Sequence, residues 1–380
     1  MTDPIVPARR VALAHDWLTV MRGGEMVLEE LCHLFPDADL FTIIHSPGTV
    51  SPLIESRRII ESPIVKLPGG RRLFRSYLPL FPWAVEAFDL RGYDLIISSS
   101  HCAIKGLIPP PNALHMSYVH TPMRYVWDMR TDYVGPQKIG PIARAVAGLV
   151  AHYLRNWDVV ASTRVDHLIA NSNHVRRRIW KYYRRRSSVI FPPVSVEHFS
   201  IAKSATKDYF LVVSALVPYK RVDLAVDVCR RLDVRLIVVG EGPERGRLKR
   251  MAGKRTEFIG WQSQDVLTEL YQNAIALLFP GEEDFGIVPV EAQACGTPVI
   301  AYGYGGALDT VIADPSQGEN RTGLFFHEQT QEALIDAIRE LETGTFNPEA
   351  IRRHAMRFSR GRFRREISSQ IAQAWKDSRE

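Results

Sequence analysis

The sequence predicts an α/β protein built from two doubly wound, parallel-sheet domains in series. Three observations carry this. At 380 residues the chain is long enough for two or three domains, each with its own core. Short β-branched runs alternate with helical patterns of about 10 to 15 residues, the rhythm of strand–helix–strand units. A stretch with paired prolines followed by polar residues, FPPVSVEHFSIAKSATKDY, interrupts that rhythm near the middle.

In chain order, the first-half runs are Val11 to Ala14, Leu95 to Ile97, Leu114 to Val119, Leu168 to Ala170 and Val189 to Phe191. Those of the second half are Tyr209 to Val213, Arg235 to Val239, Thr256 to Ile259, Ala274 to Phe279, Pro298 to Ala301 and Gly323 to Phe326. The boundary is expected between Phe199 and Lys207. This gives Rossmann-like domains at 1–199 and 200–360, with a helical segment at 361–380. Two such domains facing each other leave a central cleft between the carboxyl ends of their strands, where ligands of these folds bind.

Composition narrows the class. The hydrophobic fraction of 46% and charged fraction of 24% exclude disordered and collagen-like chains. Cys32, Cys102, Cys229 and Cys295 form no CxxC pair, which argues against a disulfide framework or structural zinc and fits a reducing cytoplasm. The longest apolar window, Ile142 to Leu154, is broken by Arg144 and His152, and Asp3 with two prolines stands where a secretion signal needs an apolar core. A protein neither exported nor transmembrane is expected. Residues 1–195 hold 24 Lys and Arg against 16 Asp and Glu, net +8, whereas residues 196–380 hold 24 against 26, net −2. The basic half is expected to face something anionic, with solvated basic faces as the alternative.

Several chemistries fail on motif grounds. There is no P-loop, no HExxH and no GxSxG, and Gly240, Gly242 and Gly246 have the wrong spacing for a dinucleotide fingerprint. The twelve histidines lack metal-ligand spacing, and Asp37-Ala-Asp39 reads as turn chemistry after Pro36. No metal site is expected. The informative segment is FPGEEDFGIVPVEAQACGTPVIAYGYGG, residues 279–306. A strand should end at Phe279 and a helix open near Phe285-Gly286, its free N–H groups offering a diphosphate site. Glu283 lies just before that helix and Glu291 eight residues later, about two turns on, so both carboxylates are expected near one face. They could hold two diols, or be a dipole-stabilising acid and an ordinary surface glutamate.

That segment resembles the E-x7-E signature of the retaining GT-B glycosyltransferases of family 4. The resemblance extends through VSALVPYKRVDLAV (213–226), VVGEGPERGRLKRMA (238–252), FIGWQSQDVLTELYQNAIALLF (258–279) and GGALDTVI (305–312). In the first half it includes GGEMVLEELCHLFPDADLF (23–41), SSSHCAIKG (98–106), YVHTPMRYVWD (118–128) and IFPPVSVEHF (190–199). It is closest to bacterial mannosyltransferases that assemble lipid-linked polysaccharides. The resemblance implies a C-terminal nucleotide-sugar-binding domain, an N-terminal acceptor-binding domain and a final helix returning to the latter. It implies that Glu283 binds donor-sugar hydroxyls, Glu291 the ribose, and Lys220 the diphosphate, where a cation stabilises the departing nucleotide. Phe285, Gly286 and Ile287 would carry the helix start, and Gly260 and Trp261 the base-recognising backbone. Relatives carry an arginine at position 215, which is Ala215 here, and Arg221 or Arg124 would supply the missing charge. Gly23 and Gly24 would let backbone approach a phosphate or sugar, or form only a tight turn. His120 matches a histidine beside the donor sugar and could equally be a satisfied strand-end residue. Asp309, where relatives have Glu, reads as structural.

The implied reaction is a metal-independent, cofactor-free transfer of a hexose with retained configuration, GDP-mannose being the expected donor. A UDP-sugar donor and a non-catalytic sugar-nucleotide-binding protein are the alternatives. Residues 69–88 interleave Arg71, Arg72 and Arg75 with Phe74, Tyr77, Phe81 and Trp83, and VRRRIWKYYRRR (175–186) adds seven cations around Trp180. Both read as interfacial membrane segments or as helices packed on their own sheet. A polyprenyl-diphosphate-linked saccharide acceptor and peripheral attachment to the inner face of the cell membrane are expected, and no nucleic acid.

Overall fold

The computed structural model describes residues 6–127 and 140–379, which divide into two compact units. One contains the chain up to Pro193 and again from Phe363; the other is Val194–Arg362. The division at Pro193 precedes the expected boundary at Phe199. Val194 is tied into the second unit by a parallel bridge to Ser359 and an N–H bond to the Phe358 carbonyl at 2.9 Å, and Phe199 packs edge-on against Tyr271.

The first unit is a seven-stranded parallel sheet of order β3-β2-β1-β4-β5-β6-β7. Its strands are β1 (Val11–Leu18), β2 (Asp39–His45), β3 (Ile59–Glu61), β4 (Leu95–Ser100), β5 (Leu114–Val119), β6 (His167–Ala170) and β7 (Ser188–Val189). β4 and β5 are buried throughout and β1 from its second residue on, as expected of strands covered by helices on both faces. The sequence reading omits β2 and β3. β3 is a three-residue, half-buried edge with little apolar signal, whereas the Leu40–Ile44 run of β2 is as buried as its neighbours. One face packs on the helix Gly23–Leu34 and on the helix Arg360–Asp377, whose Phe363, Ile367, Ile371 and Ala374 recur every three or four residues as one fully buried stripe.

The second unit is a six-stranded parallel sheet of order β10-β9-β8-β11-β12-β13. Its strands are β8 (Tyr209–Val213), β9 (Leu236–Val239), β10 (Thr256–Phe258), β11 (Ala274–Phe279), β12 (Val299–Tyr302) and β13 (Gly323–Phe326). Its core joins Val212, Leu278 and Ile300 to Leu224 and Val228 of the helix Val222–Leu232. In each sheet the strand order reverses once, between β1 and β4 and between β8 and β11. Ligands of open α/β sheets bind beyond the carboxyl ends of the strands at such reversals.

A buried ionic network locks the helices beside β4 and β5. The ammonium of Lys105, fully buried in the 3-10 turn Ile104–Gly106, pairs with Asp158 of the helix Pro141–Thr163 and donates to the Cys102 carbonyl at 2.9 Å. The other Asp158 oxygen accepts from Trp127 Nε1 at 2.8 Å and the Tyr183 hydroxyl at 2.7 Å. Burial and then the Asp158 charge push the Tyr183 pKa well above its ordinary value. Among the described residues no helix is long and apolar enough to cross a membrane.

Candidate functional site

In the second unit the reversal brings the loop after β8 against the loop after β11. β8 leads into the 3-10 turn Pro218–Lys220, and Arg221, at φ +52°, turns the chain into the helix Val222–Leu232. Lys220 lies on the loop after β11: a Cβ at Gly281 would come within 2.8 Å of the Lys220 Cα and carbonyl oxygen, so only glycine allows this approach. The Lys220 ammonium pairs with the Glu283 carboxylate, both side chains being largely but not fully buried. Arg221 is drawn toward Asp223 and toward Gln329, whose amide in turn donates to the Pro280 carbonyl at 2.7 Å.

Glu283 is fixed from its other side. Its carbonyl accepts from the Gly306 N–H at 2.8 Å, and a Cβ at Gly306 would sit 2.3 Å from the Phe285 Cα. Phe285 is buried, edge-on to Phe358 at 5.6 Å between centroids. Gly286, at φ +92°, then caps the helix Ile287–Ala294. Glu283 therefore stands in irregular chain before the helix, and the helical spacing invoked for Glu283 and Glu291 does not apply. Glu291 lies inside the helix, where its Oε2 accepts from the Tyr271 hydroxyl at 2.9 Å; burial raises its carboxyl pKa and that hydrogen bond opposes the rise.

Elsewhere in this unit, Gly260, at φ +59°, accepts from the Gly240 N–H at 2.9 Å, and Trp261 beside it is 80% exposed. Gly240 and Gly242 let the loop after β9 lie on Ser214–Leu216, since Cβ atoms there would fall 2.0 and 2.3 Å from backbone carbonyls.

In the first unit the reversal carries a polar cluster that motif reading leaves out apart from His120 and Gly24. Ser99 Oγ on β4 lies 2.8 Å from His120 Nε2 and 3.1 Å from His15 Nδ1, and His15 Nε2 lies 3.4 Å from Glu25 Oε1. Glu25 also accepts the Arg22 N–H at 2.9 Å, at the start of the helix Gly23–Leu34. A Cβ at Gly24 would stand 3.3 Å from the His15 ring and 3.7 Å from His120 Nε2, so this glycine lets the helix start lie close to both rings. Asp16 accepts four backbone N–H groups, from His101 to Ile104 at 2.6 to 2.9 Å, and lies 3.4 Å from His101 Nδ1. The signal that could have found the cluster is polar residues, His15-Asp16 and Ser98-Ser99-Ser100-His101, in runs otherwise apolar.

Burial, with help from His101 and His15, holds the His120 pKa at about 3, and burial brings His115 to about 4. The unfolded chain takes up these protons below about pH 6.5 while the folded chain does not. Stability should therefore be full above pH 6.5 and fall as the pH drops toward 4, by about 1.4 kcal/mol per unit for each ring. Urea midpoints at pH 7.5 and 5 check this, and equal midpoints would refute it.

Two of the residues expected at a membrane surface are held within the fold instead. Arg71 forks onto Glu61, with contacts of 2.7 and 2.5 Å, and donates to the His45 carbonyl, so it is part of the fold rather than a free surface cation. Phe81 is 1% exposed and belongs to the core. Arg72 and Arg75 are exposed, as is Trp83. In the second basic segment Arg178 is buried, donating to Thr121 Oγ1 at 2.8 Å, and Arg185 caps the carbonyls of Ser162 and Val165. Asp39 of the acidic triplet pairs with Arg10. Among the described residues no group of His, Cys, Asp or Glu is arranged to hold a metal ion. Asp128, at the end of YVWD, lies outside the described residues.

Comparison with known proteins accounts for both halves. Residues 21–198 match the family described as Glycosyltransferase Family 4, and residues 194–358 match Glycosyl transferases group 1. The chain belongs to the family 4 glycosyltransferases. Its fold is GT-B: the lipopolysaccharide outer core galactosyltransferase WaaB superposes over 95% of this chain and 99% of that one, with TM-score 0.65 at 17% identity. Anabaena HepE in complex with UDP covers 96% and 100%, with TM-score 0.67 at 18% identity. In sequence, this family 4 chain is 33% identical over 199 residues to the D-inositol 3-phosphate glycosyltransferase of Mycobacteroides abscessus, over 46% of this chain and 43% of the relative. It is 32% identical over 147 residues to a GDP-mannose-dependent alpha-(1-6)-phosphatidylinositol dimannoside mannosyltransferase of Mycobacterium tuberculosis, over 36% and 35%. The chain spans about half the length, or less, of the curated relatives it matches.

Proposed function

We propose that this chain transfers a hexose from a nucleotide diphosphate sugar to a lipid-linked saccharide, with retained anomeric configuration and without a metal. The observation that carries the reading is the Lys220–Glu283 pair at the strand reversal of the second unit, next to the amino end of the Ile287 helix. A diphosphate meets an ammonium and free helical N–H groups there, and a sugar meets a carboxylate able to accept from adjacent hydroxyls. Lys220 then stabilises the charge that grows on the leaving phosphate, and Glu291 receives ribose hydroxyls. His120, held neutral by burial, offers a hydrogen bond to a sugar hydroxyl without adding charge.

The proposed substitution uses no protein nucleophile. The departing phosphate oxygen takes the acceptor hydroxyl's proton as the new bond forms on the same face, so positioning and electrostatics carry the rate. GDP-mannose is the proposed donor, supported by the mannosyltransferase relative. The test is incubation of the purified protein with GDP-mannose, UDP-glucose and UDP-galactose and a polyprenyl-diphosphate saccharide extract, following nucleotide release and a radiolabelled glycolipid. Label from GDP-mannose that persists in EDTA is expected. Activity lost in EDTA and restored by manganese would refute the metal-independent mechanism, and label from a UDP-sugar alone would refute the donor.

A further inference from the structure

We propose that an apolar cavity of about 380 Å³ beneath Trp17, in the first unit, holds the hydrocarbon chain of a phosphate-bearing prenyl lipid, with Arg75 meeting the phosphate at its mouth. This rests on the acceptor reading above and extends it to a defined site.

The cavity is within the size range of small-ligand pockets. Its walls are Trp17, Leu78, Phe81, Tyr125, Val150 and Leu154, with small residues of the helix Pro141–Thr163 between them. Such walls offer water few partners, so an apolar occupant is favoured. Among the described residues Arg75 is the one charged residue that lines it. Its guanidinium stands 4.5 Å over the Phe74 ring and 5.8 Å from Trp17, and no carboxylate among the described residues pairs with it. An exposed guanidinium anchored on aromatic rings and lacking an acid partner is suited to a phosphate.

Position links the cavity to the carboxyl end of the first sheet. Trp17, at the end of β1, meets the His101 ring edge-on at 4.3 Å between centroids, and His101 packs against both His15 and His120. Trp17 is thus shared between the cavity wall and the edge of the polar cluster. The elements that line the cavity also carry large exposed apolar side chains: Leu80 and Trp83 in the segment 74–86, and Val146, Leu149 and Tyr153 in the helix Pro141–Thr163. Apolar side chains beside an unpaired cation fit the surface of a lipid layer, from which such a chain would enter.

The test is direct binding to the full chain, without donor, of farnesyl monophosphate, farnesol and inorganic phosphate, read by tryptophan fluorescence and equilibrium dialysis. Val150→Trp, which fills the cavity, should weaken farnesyl phosphate at least tenfold, and Ala147→Phe should act the same way should the first variant fold poorly. Arg75→Ala should weaken farnesyl phosphate about tenfold while leaving farnesol unchanged, and Arg75→Lys should recover part of the loss. Unchanged farnesyl phosphate affinity in a folded cavity-filling variant would overturn the site, as would binding of inorganic phosphate as tight as that of the lipid. Because no donor is present, binding that persists while every sugar transfer fails would sink the transferase reading and leave the cavity assignment standing. Transfer to the lipid acceptor that is indifferent to Val150→Trp would do the reverse.

Discussion

Replacing Lys220 by alanine is expected to lower kcat/KM for sugar transfer by about 10² to 10³-fold while the protein melts within about 1 kcal/mol of its parent. The first number is the usual cost of losing one preorganised charge aimed at a developing anion. The second follows because both partners of the Lys220–Glu283 pair keep some solvent contact, so the pair adds little net stability. Glu283→Ala should produce a comparable loss. The double variant should be scarcely worse than either single one, because each substitution already dismantles the same arrangement. Steady-state rates with a saturating acceptor, together with thermal melts of all three proteins, check this. Additive losses would mean that the two residues act in separate places.

Asp158→Ala should be the most destabilising single change named here, costing about 3 to 5 kcal/mol and moving the urea midpoint accordingly. It strands the ammonium of Lys105, which has no access to water, and removes the acceptor for Trp127 Nε1 and the Tyr183 hydroxyl. Lys105→Met combined with Asp158→Leu should recover much of the loss, because two apolar side chains leave no charge uncompensated. If the single variant unfolds at the parental urea concentration, the network is not part of the stability of this unit.

The strands were readable wherever parallel pairing buries them on both sides, as at Leu114–Val119 and Ala274–Phe279, because that burial demands an unbroken apolar run. Edges such as Ile59–Glu61 make no such demand. Lys220, Glu283 and Gly286 could be found because their motifs are contiguous in the chain. Glu283 stands just before the helix, as its motif predicts, but the irregular chain through Gly286 means that helical spacing does not fix its carboxylate relative to that of Glu291. The cluster of His15, Ser99, His101 and His120 is harder to see, because its members come from β1, β4 and the residues just after β4 and β5. They become neighbours only through sheet register, His15 lying opposite Ser99 in the β1–β4 pair. In the basic segments, a free cation such as Arg75 and a structural one such as Arg71 are the same letter in a sequence. The difference lies in whether a carboxylate like that of Glu61 happens to fold beneath it.

The stripe of Phe363, Ile367, Ile371 and Ala374 has a consequence for biosynthesis. One side of the first sheet is finished by residues that follow the entire second unit along the chain, so a nascent polypeptide must hold Leu13, Leu28 and Leu95 partly uncovered until they emerge from the ribosome. The second unit, contiguous in sequence, can settle earlier. Synthesis order and completion order are therefore inverted, which leaves the earlier-made half open to chaperone capture for longer.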